Sequence, residues 1–196
     1  MLWTVTPTGR QWSLTRPSAE DVDLYDIAHN LALQVRFNGS LGPYTVAEHS
    51  VHCHDEAVRL GLERDWCSLI LLHDAHEAYI GDVITPLVEA LAVVTEELIG
   101  HQQLVRSAIS NLRKRHDLAI FAALDLPYAS LPGAAFLAMK RIDAAAMMTE
   151  RDALGPKQPA HWGPIEQTSR LPFKPQCWDF QTARRHLKPV RPYEGT

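Results

Sequence analysis

The spacing of apolar residues predicts a largely helical chain. Apolar positions recur three and four residues apart, which is typical of one face of an α-helix, in stretches running from about Leu24 to Val35, from Thr45 towards Gly61, from Leu87 to about Leu118, and from Ala134 to Leu154. A further helix is predicted from Trp66 to Ile80, because no Gly or Pro interrupts this apolar stretch before Gly81.

Both ends of the chain depart from helical spacing. Two short runs flank Pro7-Thr8-Gly9-Arg10, a turn sequence, and predict a β-hairpin over residues 3 to 16. Beyond Gly155, prolines at 156, 159, 164, 172 and 175 predict an irregular arm, closed by a short docking helix around Trp178 to Leu187. We therefore predict an all-α bundle with a short N-terminal β-hairpin, in which residues 1–155 form the main domain and residues 156–196 a C-terminal arm.

Composition argues against a nucleic-acid-binding protein and against a membrane-spanning one. The 196-residue chain has a formal charge of -4, which gives no electrostatic case for binding nucleic acid. No run approaches the roughly 18 apolar residues of a membrane span, and the first residues do not resemble a signal peptide. Three scattered cysteines indicate reduced thiols, so we expect a cytoplasmic protein without a membrane partner. The basic run 113–116 is interpreted as a solvated helix face.

The start of the second long helix places one histidine. Thr45 and Glu48 are spaced as the two partners of a capping box, with Thr45 as N-cap. This puts His49 one turn inside the helix. His52 and His54 follow, and we interpret them as solvent-facing or as supporting residues.

Two further stretches carry ionisable residues on apolar backgrounds. His73 and Asp74 directly follow the apolar run 69–72, where such groups are costly unless they are paired or bind a metal. An isolated pair of this kind is more often a satisfied core network. Asp143 lies in the apolar stripe of the last long helix, and an ion pair with Lys140 would explain it; metal binding by Asp143, with Lys140 facing a bound anion, is the alternative.

Together these stretches suggest a metal site. His49, His73, Asp74 and Asp143 supply two imidazoles and two carboxylates, a mixed nitrogen and oxygen set suited to Mn²⁺, Fe²⁺, Co²⁺, Ni²⁺ or Zn²⁺. Four protein ligands leave room for water or a phosphate oxygen. The sequence contains neither an HExxH motif nor a CxxC pair that would compete.

This arrangement of His, His-Asp and Asp resembles the metal signature of the HD-domain phosphohydrolases. Arg36-Phe37, the run from Tyr44 to Ser50 and the run from Leu72 to Asp82 are similar to its small nucleotidase branch of 5′-deoxynucleotidases and phage dATP triphosphohydrolases. The likeness covers about residues 1 to 155. It implies an HD-domain bundle, a divalent metal held by these four residues, and a homo-oligomer in the cytoplasm, or in the host cytoplasm if the chain is phage-encoded.

The resemblance also implies roles for residues around the metal. Glu77 would orient or protonate around the attacking water, and Asp82 would support it or transfer a proton. Arg36 and Lys140 would contact phosphate, with Mg²⁺ on the substrate phosphates as a further expectation. Phe37 either stacks on a base or packs in the core.

The expected reaction is hydrolysis of a deoxynucleotide, either a dNTP such as dATP to deoxynucleoside and triphosphate or a dNMP to deoxynucleoside and phosphate. One departure bears on this choice, since Val88 stands where related sequences often carry a lysine. The alternatives are an HD hydrolase of cyclic or signalling nucleotides and a non-catalytic nucleotide-binding module.

Overall fold

The structure, a computed structural model, describes residues 2–157 and 160–187, apart from the side chain of Ala129. It confirms a mostly helical chain with a two-stranded antiparallel hairpin at its N-terminus. The strands are β1 (Trp3–Val5) and β2 (Gln11–Ser13), and the helices are α1 (Leu24–Leu33), α2 (Val46–Arg59), α3 (Arg64–Leu71), α4 (Glu77–Ile80), α5 (Thr85–Ile99), α6 (Gln103–Ala123), α7 (Gly133–Leu154) and α8 (Phe180–His186). Within these residues, no helix combines the length and apolarity that a bilayer crossing requires.

The hairpin is fastened to the helical body by buried contacts. The indole of Trp12 is fully buried, stacks on Tyr79 at 3.8 Å, and donates a hydrogen bond from Nε1 to His116 Nδ1 at 3.0 Å. The buried carboxylate of Asp26 accepts hydrogen bonds from the backbone and the hydroxyl of Thr8 in the hairpin turn. Because His116 is buried, the interpretation of the whole run 113–116 as a solvated face is wrong.

Helix α2 lies at the centre of the bundle and contacts α1, α3, α7 and α8. Its N-cap is as predicted, since Thr45 Oγ1 accepts a hydrogen bond from the backbone N–H of Glu48. The prediction that the side chain of Glu48 completes the capping box is wrong. The fully buried Glu48 carboxylate instead accepts the backbone N–H groups of residues 176, 177 and 178 at 2.6, 3.2 and 2.7 Å.

The prediction of one helix from Trp66 to Ile80 is wrong, because the chain leaves the helix after Leu71 and re-enters it at Glu77. In a continuous helix the carbonyl of Ile70 would accept the N–H of residue 74. Here it accepts the imidazole Nδ1–H of His73 at 2.7 Å and the backbone N–H of the same residue. The side chain of His73 therefore replaces a helical hydrogen bond and permits the break.

The predicted helix from Leu87 to Leu118 is also two helices. Gly100 ends α5 in the left-handed conformation, with φ 71°, and its N–H caps the carbonyl of Glu96. Glycine adopts this conformation without the strain of a side chain. The chain then reverses, and α6 packs against α5.

The described residues of the predicted C-terminal arm contact the main body. Arg151 of α7 binds the arm through the carbonyl of Ala160 and the carboxylate of Glu166. Trp178 and Phe180 pack on the main core, and α8 contacts α1 and α2. Pro159 and residues 188–196 of the predicted arm lie outside the described residues.

Candidate functional site

The structure brings the four predicted metal ligands together. The Nε2 atom of His49 lies 3.3 Å from Nε2 of His73, 3.7 Å from Asp74 Oδ2 and 3.4 Å from Asp143 Oδ1. His73 Nε2 lies 3.2 Å from Asp74 Oδ2 and 3.9 Å from Asp143 Oδ1. Both imidazoles are buried, and Asp74 and Asp143 are partly open to solvent. Each carboxylate thus has an oxygen within 3.9 Å of both imidazole Nε2 atoms, and we call these four side chains the metal-ligand cluster.

The helix break after Leu71 makes this convergence possible. Neighbouring residues of an α-helix point about 100° apart, so His73 and Asp74 could not face the same point from a continuous helix. The turn from residue 72 to residue 76 removes that constraint. His49 comes from the first turns of α2, and Asp143 from the middle of α7, which packs on α2.

The hydrogen bonds made by the Nδ1 atoms of the two imidazoles show which nitrogen of each ring is left to bind a cation. His73 Nδ1 donates to the Ile70 carbonyl, and His49 Nδ1 donates to the Glu150 carboxylate at 2.6 Å. When neutral, both rings therefore turn a lone pair at Nε2 towards each other and towards two carboxylates. Such an arrangement is repulsive unless a cation, either a proton or a metal ion, lies between them.

The pKa values of His73 and Asp74 also show that the site favours positive charge on the imidazole. Burial lowers the pKa of His73, but the Asp74 and Asp143 carboxylates outweigh burial and raise it well above the ordinary value. Burial alone would raise the pKa of Asp74. The charge of His73 and the hydrogen bond with His73 outweigh burial and bring the pKa of Asp74 below its usual range. The carboxylates of the cluster thus favour positive charge at the two imidazoles.

The donor set fits a transition metal. Ligand atoms bound at about 2.0–2.2 Å to one ion lie roughly 3 to 3.5 Å apart, close to the separations in the cluster. Each imidazole is also oriented through its other nitrogen, as metal-binding histidines usually are. Among the described residues, two groups have ligand atoms within 4.8 Å of one another and could hold a metal ion: His49, Cys53 and His73, and Asp74, His76 and Glu77.

Cys53 is one of the three scattered cysteines that the sequence predicts to be reduced thiols. Its fully buried thiol lies 3.6 Å from His49 Nε2, one helical turn along the same helix. It therefore borders the metal-ligand cluster, although no cysteine spacing in the sequence suggested it.

Glu150 is the residue that sequence reasoning missed. Its fully buried carboxylate accepts hydrogen bonds from His49 Nδ1, from Tyr44 Oη at 3.1 Å and from Arg36 Nε at 3.1 Å. Burial raises the pKa of Glu150, but the charges of Arg36 and His49 bring it below the ordinary value. The sequence does contain a signal for this role. Glu150 follows Asp143 by seven residues, which places both carboxylates on one face of α7.

We expect Glu150→Ala to lower the free energy of unfolding by about 3–5 kcal/mol, because it leaves the buried groups of Arg36 and His49 without their shared carboxylate. Chemical denaturation monitored by circular dichroism would measure the change. Tyr44→Phe is the matched control, since it removes only one hydrogen bond to the same carboxylate and is expected to cost about 1 kcal/mol. Equal, small losses in both variants would contradict a central role for Glu150.

Glu77 lies beside the metal-ligand cluster and is almost fully buried. Its Oε2 atom has no hydrogen-bond partner among the described residues. Burial, together with the charges of Asp74 and Asp82, raises the pKa of Glu77 to about 9. Burial also raises the pKa of half-buried Asp82, and the charge of Arg36 only partly offsets this. Both predicted catalytic carboxyls are therefore electrostatically linked to the cluster.

The three predicted substrate contacts lie in different places. Arg36 borders the cluster, with Nη1 3.5 Å from Asp74 Oδ2 in addition to its bond with Glu150. The ring of Phe37 lies 6.1 Å from that of Trp162 in the arm, a packing contact. Lys140 lies over the ring of Phe136 at 5.9 Å, and the described ion pairs of Asp143 are with His49 and His73.

A cleft of about 530 Å³ opens beside the cluster. His73, Asp74 and Glu77 lie at one part of it, and its walls come from α5, α6 and α7. The walls include the aromatic residues Phe121, Tyr128 and Phe136 and the cationic residues Arg106, Arg113, Lys114 and Lys140. A ligand in this cleft would therefore meet an apolar surface, positive charge and the metal-ligand cluster.

Comparison with known proteins gives relatives whose names state no activity. No protein-family model matches the chain. An uncharacterized protein of Rhodobacter capsulatus is 38% identical over 94 residues, which are 45% of this chain and 48% of that protein, so the match spans about half the length of this relative. The uncharacterized protein YfdR of Escherichia coli K12 is 26% identical over 162 residues, 82% of this chain and 77% of YfdR. The chain is thus similar along most of its length to a bacterial protein whose name states no activity.

Proposed function

We propose that this chain is an HD-domain phosphohydrolase that cleaves deoxynucleotides with the help of a divalent transition metal. The observation that carries the proposal is the pair of imidazole Nε2 atoms, 3.3 Å apart, faced by two carboxylates and bordered by a cleft. The order His, His-Asp and Asp along the chain and its resemblance to HD phosphohydrolases support the same assignment.

His49, His73, Asp74 and Asp143 would hold the metal, and their mixed donors suit Mn²⁺, Fe²⁺, Co²⁺, Ni²⁺ or Zn²⁺. When bound, such an ion lowers the pKa of a water and draws charge from a phosphoryl oxygen. Glu150 fixes the ring of His49, and the carbonyl of Ile70 fixes that of His73. The resemblance adds Mg²⁺ on the phosphates of the substrate.

Other residues would act on the substrate and its protons. Glu77, beside the cluster and within the cleft, is placed to exchange a proton with the attacking water or with the leaving oxygen. Asp82 would support it. Arg36 would turn Nη1 from Asp74 to a phosphate oxygen, and Lys140 on the cleft wall would contact phosphate. Phe37 packs beside Trp162, which favours a structural role over base stacking.

In the proposed reaction the oxygen of water adds to phosphorus, and the bond from phosphorus to the 5′ oxygen of the deoxynucleoside breaks. The leaving oxygen takes up a proton. A dNMP would yield deoxynucleoside and phosphate, and a dNTP such as dATP would yield deoxynucleoside and triphosphate.

A panel of nucleotides tests this proposal. Purified protein would be incubated with dNMPs, dNTPs and cyclic nucleotides in the presence of Mn²⁺, Co²⁺ or Mg²⁺, and the products separated by chromatography. We expect a deoxynucleoside together with phosphate or triphosphate. A ring-opened monophosphate would assign the chain to cyclic-nucleotide hydrolysis, and metal binding without turnover would make it a non-catalytic binding module.

We also propose a cytoplasmic homo-oligomer. A row of apolar side chains on α5 supports self-association, because Leu87, Leu91, Val94 and Leu98 are between 43% and 76% exposed in the single chain. Exposed apolar rows of this kind are typical of protein interfaces. Sedimentation equilibrium of the purified chain would measure the state, and a monomer at all concentrations would contradict it.

A further inference from the structure

The wall of the cleft formed by α6 carries positive charge beyond the predicted site residues. Arg113 and Lys114 line the cleft together with Lys140 of α7, and the same cleft reaches His73, Asp74 and Glu77. The sequence alone predicts that Arg113 and Lys114 lie on a solvated face. In the folded chain they instead line the cleft into which a molecule bound at the metal-ligand cluster would extend.

These cations differ from the other charged groups of the cleft in forming no direct ion pair within the described chain, although the charge of Arg113 lowers the pKa of Asp82. Arg106 is paired with Glu89, and His76 with Asp117. Among the residues that the structure describes, Arg113, Lys114 and Lys140 form no ion pair with a carboxylate. Arg113 donates from Nη2 to the Val83 carbonyl at 2.7 Å, and its Nε has no hydrogen-bond partner in the described part of the chain. Cations without a direct ion pair that line one cleft make a surface that attracts anions.

Helix α5, which packs on α6, contains no lysine or arginine. Val88 of α5 lines the same cleft, and α5 packs directly on α6. The cations of the cleft therefore come from α6 and α7 and not from α5.

Charge complementarity indicates the kind of anion. One phosphate at the metal-ligand cluster would meet Arg36 and a bound cation, and would leave the α6 wall without a partner. A triphosphate carries two more phosphates, which need charged donors at a distance from the cluster. Charge-assisted hydrogen bonds from lysine and arginine are the usual way in which proteins hold such groups.

We propose that Arg113 and Lys114 form a subsite for the phosphates of a nucleoside triphosphate that lie beyond the phosphate at the metal-ligand cluster. This inference rests on the proposed function, and it makes triphosphates the preferred substrates of that same site. Arg113 is held in place by its bond to Val83, while Lys114 is an exposed side chain at the cleft wall.

Calorimetric titration of the purified 196-residue chain, freed of unbound metal, tests the subsite with two probes, inorganic tripolyphosphate and inorganic phosphate. We expect tripolyphosphate to bind more tightly than phosphate. Lys114→Ala and Arg113→Ala should each weaken tripolyphosphate binding about tenfold or more, with little change for phosphate. Metal content measured after titration would verify that the probe had not removed the ion.

Arg115→Ala is the matched control, because Arg115 has the same charge one residue along α6 but donates to the carbonyl of Thr15 in the hairpin region. It should change neither affinity. Lys114→Ala alters an exposed residue, so its result stands even if Arg113→Ala fails to fold. Unchanged tripolyphosphate affinity in Lys114→Ala would overturn the subsite.

The outcomes separate this inference from the proposed function. Turnover of deoxynucleotides with tripolyphosphate binding insensitive to Lys114 would retain the phosphohydrolase and reject the subsite. Binding that depends on Lys114, without turnover of any nucleotide, would retain the subsite as a polyphosphate site and reject the hydrolase.

Discussion

Asp74→Ala is expected to abolish metal-dependent phosphate release and to lower metal affinity at least a hundredfold. Asp74 Oδ2 lies 3.2 Å from His73 Nε2 and 3.7 Å from His49 Nε2, and it contacts Arg36 as well. Residues that only support metal ligands typically contribute 10- to 100-fold to affinity, and loss of a ligand itself should exceed that range. Metal content after dialysis, followed by phosphate release with added Mn²⁺, would measure both effects.

Asp55→Ala provides the control for this change. Asp55 is an exposed carboxylate on α2, and within the part of the chain that the structure describes its ion pair is with the neighbouring His54. The control should keep wild-type metal content and turnover. If Asp74→Ala retained metal-dependent release of phosphate from deoxynucleotides, the assignment of the site as a catalytic metal centre would fail.

Glu77→Gln should lower turnover by about 100- to 10,000-fold while leaving metal content unchanged. Glutamine keeps the size of the side chain but cannot exchange a proton, and proton transfer by a positioned group contributes about this much to catalysis. The buried Oε2 atom of Glu77, which has no hydrogen-bond partner among the described residues, is available to a water or a substrate oxygen. Steady-state phosphate release and metal analysis of the same preparation would test both parts.

The comparison variant is Glu63→Gln, at an exposed glutamate before α3 whose side chain makes no capping hydrogen bond. It should leave turnover unchanged. Loss of metal together with activity in Glu77→Gln would place Glu77 among the metal ligands, as the group of Asp74, His76 and Glu77 allows. Full activity would remove Glu77 from the mechanism.

Local signals in the sequence predicted most of the secondary structure. Helix α2 begins after Thr45 because the threonine hydroxyl caps it, and α7 ends at Leu154, before a glycine. The apolar run before His73 is buried, as its composition indicates. Hairpin and arm follow from turn residues and prolines. These features depend on residues close together in the chain, which is why a sequence alone can reveal them.

Other features depend on contacts between distant residues. Periodicity did not reveal the break after Leu71, because a side-chain hydrogen bond from His73 to the Ile70 carbonyl competes with the helix. Glu48 matched a capping box, yet it binds the backbone of residues 176–178 in the arm. Glu150 looked like an ordinary charged residue near a helix end, until folding enclosed it with Arg36, Tyr44 and His49.

Apolar spacing, caps and turn residues within short stretches predicted the helical class and the hairpin, and the order of histidines and aspartates along the chain suggested the four metal ligands. Folding brings those four side chains together, orients His49 through Glu150, and places Arg113 and Lys114 on the adjoining cleft. Short stretches of sequence do not reveal these contacts, because burial and charge pairing are set by which helices pack together. A carboxylate or a guanidinium takes its role from neighbours that lie many residues away in the chain.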